Sequence, residues 1–261
     1  MGLGPQRDLG LVVQYMLIKT SRHTSEDLEL WDALEQSDLL YYNTHNMAYR
    51  EQRAIEEIVK FGSIDKFYVG VSWGKDSIVT LHLSLRSGLS FKTISAKGTY
   101  VTKGINALYL DDVRNVFLET YNLDYEEIAY PEYPPKSKQK SLQLFGKKYT
   151  SRHILGVRSE ESGIRKRSRN IHGISTNNVC RPIIDWPTAM VFAYCVHYGL
   201  PLHPNYGFLG GGRWDRNQIR VGGSILGEDG QSFGRLEWER EYYSDVIKQF
   251  EKRAMLNLSQ R

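Results

Sequence analysis

The sequence predicts an α/β protein built on a parallel sheet. Three observations predict it. From residue 66 onward, short runs of aromatic and β-branched residues alternate with helix-patterned stretches. The first such run, Phe67-Tyr68-Val69-Gly70-Val71, passes into a helical pattern through Ser72-Trp73-Gly74-Lys75-Asp76-Ser77. At 261 residues the chain is long enough to bury one sizeable core.

The elements follow in order. Residues 1–62 read as a helical N-terminal extension. A capping start at Thr24-Ser25-Glu26-Asp27 precedes Leu28, Leu30, Trp31, Leu34 and Leu39 at helical spacing. A second helix spans Met47 to Phe61 and ends at Gly62. Residues 63–204 read as the central α/β domain. Its first strand ends in the loop Ser72 to Ser77, and a helix follows to Arg86, with Gly88 where a C-cap belongs. A second strand fits Lys92 to Ala96. A helix fits Leu110 to Tyr121, opened by Asp111-Asp112, and a third strand fits Tyr125 to Ala129. Pro131, Pro134 and Pro135 impose a loop without regular structure. His153 to Val157 reads as the fourth strand and Val179 to Ile184 as the fifth. A helix then starts near Pro187 and runs to His197 or Tyr198. Residues 205–261 make the third part. Glycines 207, 210, 211, 212, 222, 223, 227, 230 and 234 give a polar, flexible loop. A long helix, Leu236 to Leu258, follows, with Trp238, Tyr242, Val246, Phe250 and Met255 on one face.

Composition excludes several classes. Hydrophobic residues are 41% and charged residues 25%, the balance of an ordinary globular protein. No apolar run reaches the ~18 residues that span a bilayer, and the N-terminus lacks an apolar stretch behind a basic start, so no secretory signal is expected. Two cysteines, Cys180 and Cys195, exclude a disulfide framework and a CxxC metal or redox site. Both lie among apolar residues and read as buried thiols. The expected location is the cytoplasm. Net charge is only +4, but Lys136, Lys138, Lys140, Lys147, Lys148 and Arg152 cluster in one segment, and Arg158, Arg165, Lys166, Arg167 and Arg169 in the next. That segment is either a solvated face with one anion site or a nucleic-acid surface.

The loop after the first strand has the chemistry of a phosphate cradle. Small residues let backbone N–H groups converge, and a helix N-terminus adds unpaired donors and a positive dipole end. Lys75 adds a mobile cation, and Ser72 and Ser77 add hydroxyls. The alternative is a plain strand-to-helix turn. The fourth strand leads into Gly156-Val157-Arg158-Ser159-Glu160-Glu161-Ser162-Gly163-Ile164-Arg165. This brings Arg158 and Arg165 toward the carboxyl edge, where open α/β sheets bind ligands, and guanidinium suits phosphate. A surface salt-bridge network is the competing reading.

Ser-x-Gly-Lys-Asp-Ser resembles the PP-loop of the ATP pyrophosphatases, usually SGGxDS, with Trp73 in place of the first glycine. Four motifs in this order, the PP-loop, the Arg158–Arg165 segment, Pro182-Ile183-Ile184-Asp185-Trp186 and Gly199-Leu200-Pro201-Leu202-His203-Pro204, resemble the phosphoadenylylsulfate (PAPS) reductase family of the adenine nucleotide α-hydrolase superfamily. The resemblance covers residues 66 to 224. It implies a Rossmann-like, mostly parallel five-stranded sheet with adenosine across its carboxyl edge. It implies that Ser72, Trp73, Gly74, Lys75, Asp76 and Ser77 hold nucleotide phosphates, with Arg158, Arg165 and Arg220 approaching from other sides. Lys75, Asp76, Arg158 and Arg165 would be the catalytic set, and Asp76 the magnesium ligand. Asp185 would cap the next helix, Trp186 would pack, and His203 reads as structural.

The departure from that family is its thiols. The reductases use a cysteine in a C-terminal Glu-Cys-Gly-Leu-His tail, and this chain has no cysteine beyond 195. Related members carry Arg-x-Gly-Cys-x-x-Cys, where this chain has Arg220-Val221-Gly222-Gly223-Ser224-Ile225-Leu226. Thiolate chemistry needs a thiolate. The expected activity is therefore the superfamily's other one: binding of Mg²⁺-ATP and adenylation of an acceptor with release of pyrophosphate, in sulfur transfer or in nucleotide or nucleic-acid modification. Two alternatives stand beside it: a non-catalytic adenine-nucleotide sensor or scaffold, and a reductase-like protein using a thiol from elsewhere. A partner protein, nucleic acid and a homo-oligomer are the open partner readings. No membrane is expected.

Overall fold

The computed structural model describes residues 16–96, 108–129, 137–221, 235–249 and 252. Eight labelled helices and five strands run in the order α1 (Ser25–Thr44), α2 (Met47–Gly62), β1 (Tyr68–Val71), α3 (Lys75–Arg86), β2 (Lys92–Ala96), α4 (Leu110–Thr120), β3 (Tyr125–Ile128), α5 (Ser137–Lys148), β4 (His153–Leu155), α6 (Gly163–His172), β5 (Val179–Cys180), α7 (Thr188–His197) and α8 (Arg235–Tyr242). The sheet order is β3-β2-β1-β4-β5, and every pair is parallel. This is the expected α/β class.

The period-two alternation of β1 sorts its side chains. Val69 and Val71 join the large core with Ile154, Ile78, Leu81, Phe192 and Tyr194. Tyr68 turns to the other face, where Ile94, Ile128 and Phe145 of α5 make a smaller cluster. The terminal parts belong to the large core. Trp31 of α1, Phe208 and Trp238 of α8 are all fully buried in it.

Helix α1 starts where its capping box directs. The Asp27 amide donates to Thr24 Oγ1 at 3.1 Å, and the Thr24 amide donates to Asp27 at 3.2 Å. Asp27 also accepts from the Tyr242 hydroxyl at 2.9 Å and from the Leu209 amide at 3.0 Å. One carboxylate thus fastens α1 to α8. Arg22 adds a second tie, pairing with Asp245 at 2.6 Å.

Several expectations are corrected. The Pro-rich stretch is followed by a helix: α5 buries Ser141 and Phe145 against the sheet. Residues 130–136, with the three prolines, lie outside the described residues. β4 and β5 are shorter than expected. Ile183 and Ile184 are buried, but in a turn closed by the Ile184 amide on the Arg181 carbonyl at 3.0 Å. Asp185 does not cap α7. Pro187 holds the N-cap position, and Asp185 pairs with Arg169 at 2.7 Å. Leu39 of α1 faces solvent, 42% exposed. Residues 205–221 are packed, not loose: Tyr206, Phe208, Leu209, Trp214 and Ile219 are core residues. The expected long final helix breaks at Tyr243 and resumes over 244–249. Phe250, Met255 and the glycines from 222 to 234 lie outside the described residues.

Candidate functional site

A cleft of about 270 Å³ opens at the carboxyl edge of the sheet. Its floor is the end of β1 and the start of α3: Gly70, Val71, Ser72, Gly74, Asp76 and Ser77. Ile94, Ala96, Leu142 and Leu155 give it an apolar lining, and Gly156, Val157, Glu161 and Arg165 complete its rim. β1 lies between β2 and β4, the position where the strand order reverses. Open parallel sheets leave a crevice there.

The loop is shorter than the sequence suggested, because α3 begins at Lys75. Trp73 adopts φ 58°, the left-handed region that costs a bulky residue ~1–3 kcal/mol. A glycine there would carry no such cost. The Trp73 ring compensates by burial, with Phe117 at 6.0 Å and Tyr125 at 5.7 Å between ring centres. Gly156 is needed for close approach. A Cβ there would come within 2.7 Å of the Ser77 amide nitrogen, so any side chain would push β4 away from the α3 N-terminus.

The donors of the loop are partly used inside the protein. The Ser72 amide donates to Ser77 Oγ at 3.2 Å, and Ser77 Oγ donates to the Gly74 carbonyl at 2.9 Å. The Lys75 amide donates to the Tyr206 hydroxyl at 3.1 Å. No local motif marks Tyr206 for this contact. Its place against α3 is decided by packing 131 residues away along the chain.

The charges divide into two sets. Behind the floor, Lys75 is buried rather than mobile. Its ammonium pairs with Asp76 at 2.8 Å and lies 5.6 Å from the Tyr206 ring centre. Arg158 is 2% exposed and does not line the cleft. Its Nε donates to Asp76 at 2.5 Å and its Nη1 to Glu160 at 2.5 Å. Glu160 also accepts from the Thr188 amide at 2.8 Å, at the start of α7. Burial pushes the Asp76 carboxyl up, but Lys75 and Arg158 outweigh it and hold it below the usual carboxylate range. On the rim, Arg165 is partly exposed and pairs with Glu161, which also accepts from the Arg158 amide at 2.9 Å. Arg220 is exposed and does not line the cleft; its carbonyl accepts from Arg235 at 3.0 Å. Arg213 is also exposed and pairs with Glu241 at 3.4 Å.

Nucleotide and magnesium fit this cleft unequally. The serine hydroxyls, the α3 N-terminus and Arg165 have the donor chemistry that an anion requires, and the Ile94, Ala96, Leu142 and Leu155 side chains are apolar. Both Asp76 oxygens are engaged by cations, and among the described residues no group of three His, Cys, Asp or Glu forms a metal cluster. The donor set fits a Mg²⁺ ion carried by nucleotide phosphates, with few protein carboxylates, rather than a resident ion.

Neither cysteine lines the cleft. Burial pushes the Cys180 thiol up to about 11 and Cys195 well above its ordinary value, so both stay protonated. His203 is structural. Its Nδ1 accepts from the Asn205 amide at 3.1 Å, so Nε2 donates to the Leu108 carbonyl at 2.9 Å, and burial lowers its pKa to about 3. Among the described residues no helix is long and apolar enough to cross a membrane.

No protein-family model and no curated protein matches the chain. Solved structures that match the chain include the following two. Candida glabrata FMN adenylyltransferase, crystallised with FAD and inorganic pyrophosphate, has a TM-score of 0.44 and 16% identity over 69% of each chain. The NMN synthetase of Francisella tularensis has a TM-score of 0.43 and 14% identity over 60% of this chain and 72% of its own.

Proposed function

We propose that the chain binds Mg²⁺-ATP in the carboxyl-edge cleft and adenylates an acceptor. The observation that carries this reading is the position of the α3 N-terminus. It opens with Ser72, Gly74 and Ser77 into the crevice at the strand-order reversal, beside Arg165. The apolar lining of Ile94, Ala96, Leu142 and Leu155 takes the base. Ser72, Ser77 and Arg165 hold phosphate oxygens. Lys75 and Arg158 are positioning residues, which fix Asp76 at the floor. In the reaction, an acceptor nucleophile bonds to the α-phosphorus, the bond to the bridging oxygen breaks, and pyrophosphate leaves with that electron pair. The acceptor's proton passes to solvent or a neighbouring base. Fixed cations and dipoles near the departing pyrophosphate supply the stabilisation. This agrees with the PAPS reductase-like motif order and with the absence of a reactive thiol.

One observation favours a second reading, a non-catalytic nucleotide sensor. The Ser72 and Lys75 amides and both Asp76 oxygens are already paired within the protein. Incubation with α-labelled ATP, Mg²⁺ and candidate acceptors separates the two. Pyrophosphate together with labelled acceptor or AMP supports adenylation. Saturable ATP binding with no pyrophosphate from any acceptor supports the sensor.

A further inference from the structure

The modest net charge hides a strong separation. Helix α1 carries Glu26, Asp27, Glu29, Asp32, Glu35 and Asp38 and no Lys or Arg. Helices α5 and α6 are the reverse: Ser137–Lys148 and Gly163–His172 contain no acidic residue at all. Both border the cleft, α5 through Leu142 and α6 through Arg165. Not every cation of this segment is available. Arg152 and Arg158 are buried, Arg165 pairs with Glu161 and Arg169 with Asp185. Lys147 and Lys148 of α5 and Lys166 and Arg167 of α6 are exposed.

We propose that the basic surfaces of α5 and α6 dock a nucleic-acid strand, which presents the acceptor group to the cleft. Three observations favour a strand over a free nucleotide. The exposed cations extend beyond the cleft: Lys148 lies six residues past Leu142, about 9 Å along a helix at ~1.5 Å per residue. Lys147 and Lys148 close α5 just before β4, beside Tyr149 at the amino ends of the strands, so a ligand that touches them and the carboxyl-edge cleft must run the length of the sheet, as a chain of phosphates can. The cations also stand on separate helices, as a backbone-tracking surface requires. Finally, Ile164 and Ile171 are 80% and 67% exposed. Seven residues apart, they share the outward face of α6 with Arg167 and offer apolar contact to sugars and bases. The phosphodiester backbone is the recognised chemistry, common to RNA and DNA. The acceptor role rests on the adenylation reading; the docking does not.

The test measures fluorescence anisotropy of labelled single-stranded RNA, single-stranded DNA and duplex DNA over a series of salt concentrations, without ATP. Binding should weaken with salt for at least one probe. In Lys166→Glu/Arg167→Glu, whose residues do not line the cleft, affinity should fall about tenfold and the log–log salt slope should shrink by about 1.4 on single strands. The control Arg50→Glu/Lys60→Glu, on exposed positions of α2, should change neither. No salt-dependent binding, or equal weakening by the control, overturns the proposal. Polyglutamate bound as tightly as the nucleic acids also overturns it, in favour of an acidic protein partner. Strand binding as expected, with no ATP cleavage in any condition, sinks the adenylation reading and leaves the docking surface standing.

Discussion

Arg158 and Arg165 are seven residues apart in one motif, yet they end in opposite circumstances. Arg158 is almost wholly buried and bound to Asp76 and Glu160. Arg165 stands on the cleft rim with its side chain 41% exposed, paired among the described residues with Glu161. The difference lies in desolvation. A buried guanidinium has surrendered its water, so its carboxylates are its main compensation and cannot be exchanged for a ligand cheaply. A rim guanidinium keeps its water and can trade Glu161 for phosphate at small cost. The first is therefore part of the scaffold and the second is a candidate ligand.

The largest expected effect breaks the buried side of this comparison. Asp76→Ala strands two buried cations, Lys75 and Arg158, and should cost about 3–5 kcal/mol in urea unfolding. Arg165→Ala should cost less than about 1 kcal/mol. If both variants unfold alike, the division into scaffold and rim is wrong. A companion, Asp76→Ala/Arg158→Met, should recover part of the loss, because one stranded charge is gone.

Acid unfolding sharpens the same contrast. The Asp76 pKa is depressed in the fold. Its contribution to stability is full above the ordinary carboxylate pKa of about 3.9 and is lost as pH falls through the lower folded value. Wild type should lose that contribution below about pH 4. Asp76→Asn should show a smaller loss over the same window, while Arg165→Ala should follow wild type. Stability measured against pH at fixed ionic strength reads both.

The rim is tested by ligand. Arg165→Lys keeps charge but loses the planar fork, so ATP affinity should fall by about five- to tenfold in calorimetry with little change in unfolding. Unchanged affinity would remove Arg165 from the phosphate site. The smallest effect is expected from the thiols. Cys180→Ser/Cys195→Ala should retain ATP binding and any pyrophosphate release, with a loss of about 1–3 kcal/mol from altered core packing. Abolished turnover in a folded, ATP-binding double variant would restore a thiol mechanism.

Local signals made much of the fold legible. β2 occupies the expected Lys92–Ala96 span, and α1 starts at its capping box. Gly88 adopts φ 71° just past α3, as a C-cap glycine does. Failures came where a local pattern had two meanings. Ile183-Ile184 looks like strand because a short buried apolar run carries no helix or strand period, and the chain turns there instead. α5 was hidden by the prolines before it and by Gly146 within it; its signal was Leu142 and Phe145 at helical spacing. The glycines of residues 205–221 suggested looseness, but the aromatic residues between them fill the core.

For the site, the sequence determined that the Ser72–Ser77 loop lies at the carboxyl edge, since a strand end and a helix start are fixed by nearby residues. It also determined that Gly223 and Leu226 stand at the two cysteine places of the related motif, because that is a matter of inventory. Only the tertiary structure decided which charges meet and which stay wet. Asp76 and Arg158 are 82 residues apart in the chain, and Lys75 meets Tyr206 across 131. Burial and pairing depend on how whole elements stack, and no local period or motif encodes the depth at which a side chain finally lies.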